Sequence, residues 1–392
     1  MDPHRLVFVC PQLTTGGAEW QLVHLLSHLD RIRFRPRVIF YESAGEPADR
    51  IRELGIPLHH IPRARIGTCR FLYELRALLT DLRPDVLICR LPSAFRFGRA
   101  AAVGLGIPVV IAEERTTDAP FHVRNRFDAL MNRIVPTWWT ANSASVARAI
   151  TKFRRVLPER IAVIHNGIDV ARFAGCERVT PFLAHRRALG RRIVLHLGRL
   201  SVEKDQVQFL RAAKELQNEF PDTDWCLCGD GPELAALQQV AFDFGIIDRV
   251  IFLGNQTDVP AVLAGADLLV QTSVFEGLPN AVLEGMAAGL AIIATAVGGT
   301  TDLLPDQECG LLIPPRNLAA LTDALRKCLT DRAFTETIAT NAQARARQFF
   351  DAESMARNYE ALFDGLLAGT GIPPTAERNR VASQLIRELM AE

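Results

Sequence analysis

Short runs of aliphatic and β-branched residues alternate with amphipathic stretches along almost the whole chain. This rhythm limits the fold more than any single motif does. In the first half the apolar runs are Arg5–Cys10, Arg37–Tyr41, Asp85–Cys89, Val109–Ala112, Thr137–Ala141 and Ile161–His165. Between them, segments such as Ala18–Leu29 and Phe71–Leu82 repeat apolar residues at the helical period. Strand, helix, strand at this spacing predicts right-handed βαβ units on a parallel sheet. A polar, Arg-rich stretch around 174–191 interrupts the pattern and reads as a linker. The rhythm restarts with Ile193–Leu197, Trp225–Cys228, Val250–Leu253, Leu268–Gln271 and Ala291–Ala294. Helical stretches follow at Leu318–Leu329, Ala333–Phe349, Glu353–Leu367 and near Glu377–Met390. The expected fold class is α/β, with two Rossmann-like, doubly wound domains at 1–182 and 183–348 and C-terminal helices at 349–392. Ligands of such sheets sit at the carboxyl ends of the strands. With two domains facing each other, the cleft between them is the expected site.

Composition narrows the partners. The 392 residues suffice for two cores of ordinary size. No uncharged apolar run approaches the roughly 18 residues of a membrane span, and the N-terminal MDPHRLVFVC reads as a first strand rather than a signal peptide. The eight cysteines are scattered, with Cys226 and Cys228 inside an apolar run and no second pair at metal-site spacing. Reduced thiols in a cytosolic protein are expected. The net charge of +1 hides a split: residues 1–190 carry +11 and residues 191–392 carry −10. Arginines cluster at Arg31, Arg33, Arg35 and Arg37, at Arg63, Arg65 and Arg70, and at Arg96 and Arg99. They fit an anionic membrane surface or a phosphate-bearing acceptor, or simply a solvated basic face. No nucleic-acid-binding signature accompanies them, and nucleic acid is not expected as a partner.

Four motifs follow strands. Thr14–Glu19, TTGGAE, places Gly16 and Gly17 where a helix begins after the first strand. Backbone can approach a ligand closely there, and helix N–H groups can meet an anion; a tight packing turn reads the same way. Gly198–Asp205, GRLSVEKD, places Arg199 and Lys204 where a diphosphate could be held, the first as a fork and the second as a point charge. Gly229–Pro232, GDGP, reads as a turn opening a helix. The nearby Asp222-Thr223-Asp224 is read as a loop rather than a metal ligand set, and no metal is expected. In Ser273–Gly285, SVFEGLPNAVLEG, two glutamates stand in an apolar neighbourhood with seven residues between them. Pro279 suits the first helical position and Gly289 the stop. Glu276 then precedes the helix, while Asn280 and Glu284 share one face. The N–H groups of Gly277, Leu278, Pro279 and Asn280 are expected to meet an anion. Glu284 is placed to accept hydrogen bonds from vicinal hydroxyls. Together these features point to a nucleotide-sugar site.

With GGAE at 16–19, HNGID at 165–169, GR-x4-K at 198–204, GDGP at 229–232, FLG at 252–254, E-x7-E at 276–284 and the following Gly298-Gly299, the chain resembles the GT-B glycosyltransferases of retaining glycosyltransferase family 4. The resemblance implies that Arg199 and Lys204 hold the donor diphosphate, that Glu284 binds the ribose and that Glu276 contacts the transferred sugar. It also implies that Gly16 and Gly17 close over the donor and that Leu253 and Gly254 meet the base. No protein metal and no cofactor are implied, the nucleotide-diphosphate sugar being a co-substrate. The acceptor would be a lipid-linked or other saccharide in bacterial envelope or exopolysaccharide synthesis. The closing helices, resembled by 349–367, would return to the N-terminal domain.

One departure stands out. Many relatives of this kind carry a His in the loop after the N-terminal strand that corresponds to Val109–Ala112, which here is followed by EERTT. His122 lies further on, in the expected next helix, and is not promoted. Glu114 or Arg115 would take the sugar-facing role, or bind acceptor, or bind nothing. The alternatives left open are a nucleotide-sugar epimerase of the same fold and an inactive nucleotide-sugar-binding paralogue.

Overall fold

The computed structural model describes residues 2–14, 16–117, 125–176 and 178–373. They form two compact units, one of residues up to Gly167 together with those from Ala352 onward, the other Ile168–Asp351. The chain crosses from unit to unit at 167/168 and 351/352, against the 182/183 and 348/349 drawn from sequence.

In the first unit the strands are β1 (His4–Cys10), β2 (Phe34–Phe40), β3 (Leu58–His60), β4 (Val86–Arg90), β5 (Val109–Glu114), β6 (Thr137–Ala141) and β7 (Ile161–Val163). They pair in the order β3-β2-β1-β4-β5-β6-β7, every pair parallel. β3 was not expected, being three residues long with two histidines. The second unit holds β8 (Arg192–Leu197), β9 (Thr223–Cys228), β10 (Val250–Gly254), β11 (Leu268–Gln271), β12 (Ala291–Thr295) and β13 (Leu311–Ile313). Its order is β10-β9-β8-β11-β12-β13, again parallel throughout. Central strands such as β8 and β12 are buried almost end to end. A sheet covered by helices on both faces requires this, and it explains why these strands read as continuous apolar runs.

The stretch expected as a linker is part of the second unit. Pro181–Ala188 forms a helix whose Leu183 is fully buried, packed where Gly265 leaves no room for a side chain. Arg186 and Arg191 reach Asp224 at 2.6 Å each. Asp224 therefore corrects the loop reading of Asp222-Thr223-Asp224, because it lies inside β9 and is fully buried. Burial alone would raise its carboxyl pKa, but the two guanidiniums outweigh that and hold it below the ordinary value. All eight cysteines are free thiols. Among the described residues no helix is long and apolar enough to cross a membrane.

The helix Ala352–Leu367 returns to the first unit. It buries Met355, Ala356, Tyr359, Leu362, Phe363 and Leu366, a 3.6-period stripe. This stripe joins the core built from Leu22, Leu25 and Leu26 of the Gly17–His28 helix and Phe34 of β2. Phe363 stands edge-on to Phe34 with centroids 5.8 Å apart. The segment near Glu377–Met390 lies outside the described residues. Phe363→Ala should therefore destabilise the protein by about 3–5 kcal/mol, the usual cost of emptying a buried aromatic site. Urea unfolding followed by fluorescence measures this, and a change below 1 kcal/mol would separate the helix from the first core.

Candidate functional site

In the second unit the chain runs from β8 outward through β9 and β10, then returns to the other side of β8 for β11 to β13. A doubly wound sheet opens a crevice at the carboxyl ends of its strands where the order reverses. The sequence motifs of this unit all lie along that edge. Gly198 follows β8, Gly229 follows β9, Gly254 ends β10, Glu276 follows β11 and Gly298 follows β12.

Glycines let these strand ends interlock. Gly198 donates to the Cys228 carbonyl, Leu200 to that of Asp230 and Gly229 to that of Gly254. A Cβ on Gly229 would lie 2.0 Å from the Gly198 carbonyl oxygen, so GDGP serves first to seat one loop on another. Gly298 has φ +55°, and a Cβ there would lie 1.9 Å from the Glu276 carbonyl oxygen. Gly299 N–H donates to the Gly277 carbonyl at 2.6 Å. The glycine pair thus pins the loop that carries Glu276.

The polar centre is an ion pair. Lys204 Nζ donates to Glu276 Oε1 at 2.5 Å, with only small fractions of both side chains exposed. The same oxygen accepts from Ser273 Oγ at 2.7 Å and Gln271 Nε2 at 3.4 Å. Arg199 is exposed, and its guanidinium makes no hydrogen bond or ion pair among the described residues. Its carbonyl accepts from Gln206 at 2.8 Å. Leu253 and Gly254 have their carbonyls taken by Gln256 and Gly229.

The helix Asn280–Ala288 starts one residue later than expected, with Pro279 as its cap in extended conformation; Gly289 stops it in the left-handed region, as expected. Pro279 has no N–H, which corrects the expectation that all of 277–280 offer donors. Gly277, Leu278 and Asn280 have them, and that of Gly277 has no partner among the described residues. Glu284 lies one turn into this helix, half-buried, with no hydrogen bond or ion pair among the described residues. Burial pushes its carboxyl up to about 7, against a smaller opposing pull from Arg172.

The first-unit candidates stand differently. Gly16 caps the Gly17–His28 helix, and a Cβ on it would meet the Glu19 carboxylate at 2.4 Å. Thr15 and His122 lie outside the described residues. Glu113 and Glu114 end β5 instead of starting a loop, and both are buried. Glu114 pairs with Arg154 at 2.7 Å, the glutamate wholly enclosed and the arginine almost so. Arg115 donates to Glu113 at 2.6 Å and to Asn166. Glu113 also pairs with Arg90 at 2.8 Å and accepts from Tyr359 of the returning helix at 3.2 Å. This Arg90–Glu113–Tyr359 connection escaped the sequence reading, since nothing local marks residues 246 positions apart as partners. Ser273 and Gln271 escaped it too, although their closeness to Glu276 was visible.

Two family models match the chain: Glycosyltransferase Family 4 over residues 15–172 and Glycosyl transferases group 1 over residues 182–345. The lipopolysaccharide core biosynthesis glycosyltransferase LpsD of Rhizobium meliloti (strain 1021) is 27% identical over 353 residues, covering 90% of this chain and 96% of that protein. The lipopolysaccharide core biosynthesis mannosyltransferase LpsB of the same strain is 31% identical over 218 residues, 52% of this chain and 61% of its own length. Among solved structures, Anabaena Alr3699/HepE in complex with UDP and glucose superposes with a TM-score of 0.78 at 24% identity, over 91% of this chain and 98% of that one. The chain belongs to the GT-B glycosyltransferases, with a family 4 region followed by a group 1 region.

The raised Glu284 pKa makes the stability of the ligand-free protein depend on pH. Below the ordinary value of 4.5 the carboxyl is neutral in both folded and unfolded chains. Between there and about 7 the unfolded chain ionises freely while the fold resists, so the residue destabilises the protein increasingly as pH rises. Glu284→Gln should therefore raise ligand-free stability at pH 8 by on the order of 1–3 kcal/mol and change little at pH 4. Chemical denaturation at both pH values tests this; equal effects at the two would contradict it.

Proposed function

We propose that the protein is a retaining glycosyltransferase that moves a hexose-type sugar from a UDP- or GDP-sugar to a lipid-linked or other saccharide acceptor of the bacterial envelope. The observation that carries this reading is the Lys204–Glu276 pair at the switch-point edge, beside the start of the Asn280–Ala288 helix and with Glu284 unpartnered one turn inside it. A cation next to an anion suits a donor in which phosphate adjoins a sugar that offers hydroxyl donors. Arg199 and Lys204 neutralise the diphosphate as it departs, so no protein-bound metal is required for that charge. Glu276 accepts from the sugar, Gly277 N–H faces phosphate, and Glu284 accepts from the ribose. Leu253 and Gly254 border the base, and Gly16, Gly17 and Arg115 are the substrate-binding candidates of the first unit. Glu114 enters this scheme only through its ion pair with Arg154. The acceptor oxygen attacks the anomeric carbon from the face the diphosphate leaves. Its proton passes to a phosphate oxygen as the bond to the leaving oxygen breaks. The lipopolysaccharide core biosynthesis named for LpsD and LpsB, and the UDP and glucose named for HepE, support these substrate classes.

A thermal-shift series with UDP, GDP, UDP-glucose and GDP-mannose tests the donor site. Ligand at about 100 times its Kd adds about 2.7 kcal/mol to the folded state, so one base should raise Tm by several degrees. Glu276→Ala should keep the response to the free diphosphate and lose transfer. No shift with any of the four at millimolar concentration would overturn the proposal.

Cytosolic work at the inner membrane face is part of the same proposal, although the arginine clusters divide on inspection. Arg99 is fully buried, bonded to Asn132 and set over Phe95 and Trp139. Arg33, Arg63 and Arg70 have carboxylate partners. Arg31 and Arg35 are exposed, beside an Ile32 that is 86% exposed. Flotation with phosphatidylcholine vesicles, with and without phosphatidylglycerol, should show binding only when the anionic lipid is present. Equal binding to both would remove the electrostatic membrane role.

A further inference from the structure

We propose that Thr272 and His196 are positioning residues that hold the Lys204–Asp205 turn in the geometry that presents Lys204 to a diphosphate. This rests on the reading of Lys204 given above. Thr272 Oγ1 lies 2.8 Å from the Lys204 carbonyl oxygen, 3.0 Å from that of Asp205 and 3.3 Å from His196 Nε2. Both side chains are buried, Thr272 to 1% and His196 to 0% exposure. The turn they support is one the backbone disfavours: Asp205 sits at φ 47°, ψ 45°, in the left-handed region that non-glycine residues rarely enter. Such a conformation persists only where the surroundings over-determine it.

Hydrogen accounting fixes the direction of the chain. The two carbonyls can only accept, so the single hydroxyl proton of Thr272 goes to them. The hydroxyl oxygen then accepts from the ring, which makes His196 the Nε2–H tautomer. Its Nδ1 is left buried without a partner among the described residues. An unsatisfied buried nitrogen is costly, and an apolar side chain in its place would avoid that. Burial also pushes the imidazole pKa down to about 3, the charge of Lys204 acting in the same direction and a hydrogen bond to the Lys204 backbone opposing it, so the ring stays neutral across the working pH range. The adjoining residues complete the arrangement. Ser273 and Gln271 hold the Glu276 carboxylate, and Val274 N–H donates to the Glu203 carbonyl at 2.8 Å. One strand exit, Gln271–Val274, thus fixes the carboxylate of Glu276 and the backbone turn at Lys204.

Calorimetric titration of the full chain with UDP, GDP, uridine and guanosine tests this, using Thr272→Val, Thr272→Ser, Lys204→Ala and Thr272→Val combined with Lys204→Ala. With whichever diphosphate the wild type binds, Thr272→Val should weaken binding about tenfold, while the matching nucleoside is unaffected. Thr272→Ser should stay within about twofold of wild type, and Thr272→Val should add nothing in the Lys204→Ala background. The 15N spectrum of His196 should show the neutral Nε2–H tautomer from pH 5 to 8. Wild-type diphosphate affinity in Thr272→Val, equal losses for nucleoside and diphosphate, or an Nδ1–H tautomer would each overturn the proposal. Undiminished diphosphate binding by Lys204→Ala would instead overturn the reading of Lys204 itself, and the tautomer would then decide alone whether the hydrogen-bond chain holds the turn.

Discussion

Lys204 and Glu276 come from loops after two neighbouring strands, β8 and β11, that lie on either side of the point where the sheet order reverses. Their meeting requires the sheet to be parallel, so that both strands end at the same edge. It also requires the loops to approach closely: the Val274 N–H bond to the Glu203 carbonyl joins the loops after β8 and β11, and Gly298, after β12, leaves room for the Glu276 carbonyl and so seats the loop that carries that carboxylate. The pair is nearly enclosed, so its mutual attraction is worth more than that of a solvated surface pair. Each charge also keeps the other from being buried alone, until a ligand supplies replacement partners for both.

Buried charge at the candidate site differs from buried charge elsewhere, where, as at Asp224 with Arg186 and Arg191, it is closed. At the site, the enclosed pair stands at the strand edge beside an exposed arginine and an unpartnered glutamate. In the first unit, Arg90, Glu113, Arg115 and Tyr359 satisfy one another, and Glu114 closes with Arg154. Burial by itself would raise the Glu113 pKa, yet the two arginines outweigh it and hold the carboxyl below its ordinary value. That network ties the returning helix to the end of β5. The Arg115 guanidinium is held by Glu113 and Asn166.

The strands were legible because both faces of a parallel sheet are covered, so each central strand is a continuous apolar run. β3 and β13 were not: each is a three-residue edge strand, as is β7, which was legible because Ile164 extends its apolar run. The order of the site motifs was legible for a related reason: each glycine ends a strand, and parallel strands end together. Residues whose partners lie far along the chain were misread. Arg186 and Arg191 resembled linker residues because Asp224 is 38 and 33 positions away. Glu114 resembled a loop residue because nothing near it announces Arg154, 40 positions on. Pro279 was a different failure, since its missing N–H was visible from the start.

The most direct measurement is a crystal structure of the full chain with the bound nucleoside diphosphate, UDP or GDP. Lys204 and Arg199 should lie within hydrogen-bond distance of phosphate oxygens, with the Glu284 carboxylate on the ribose hydroxyls. A nucleotide bound away from the carboxyl ends of β8 and β11, or a ribose that leaves Glu284 untouched, would contradict the assignment of this strand edge as the donor site.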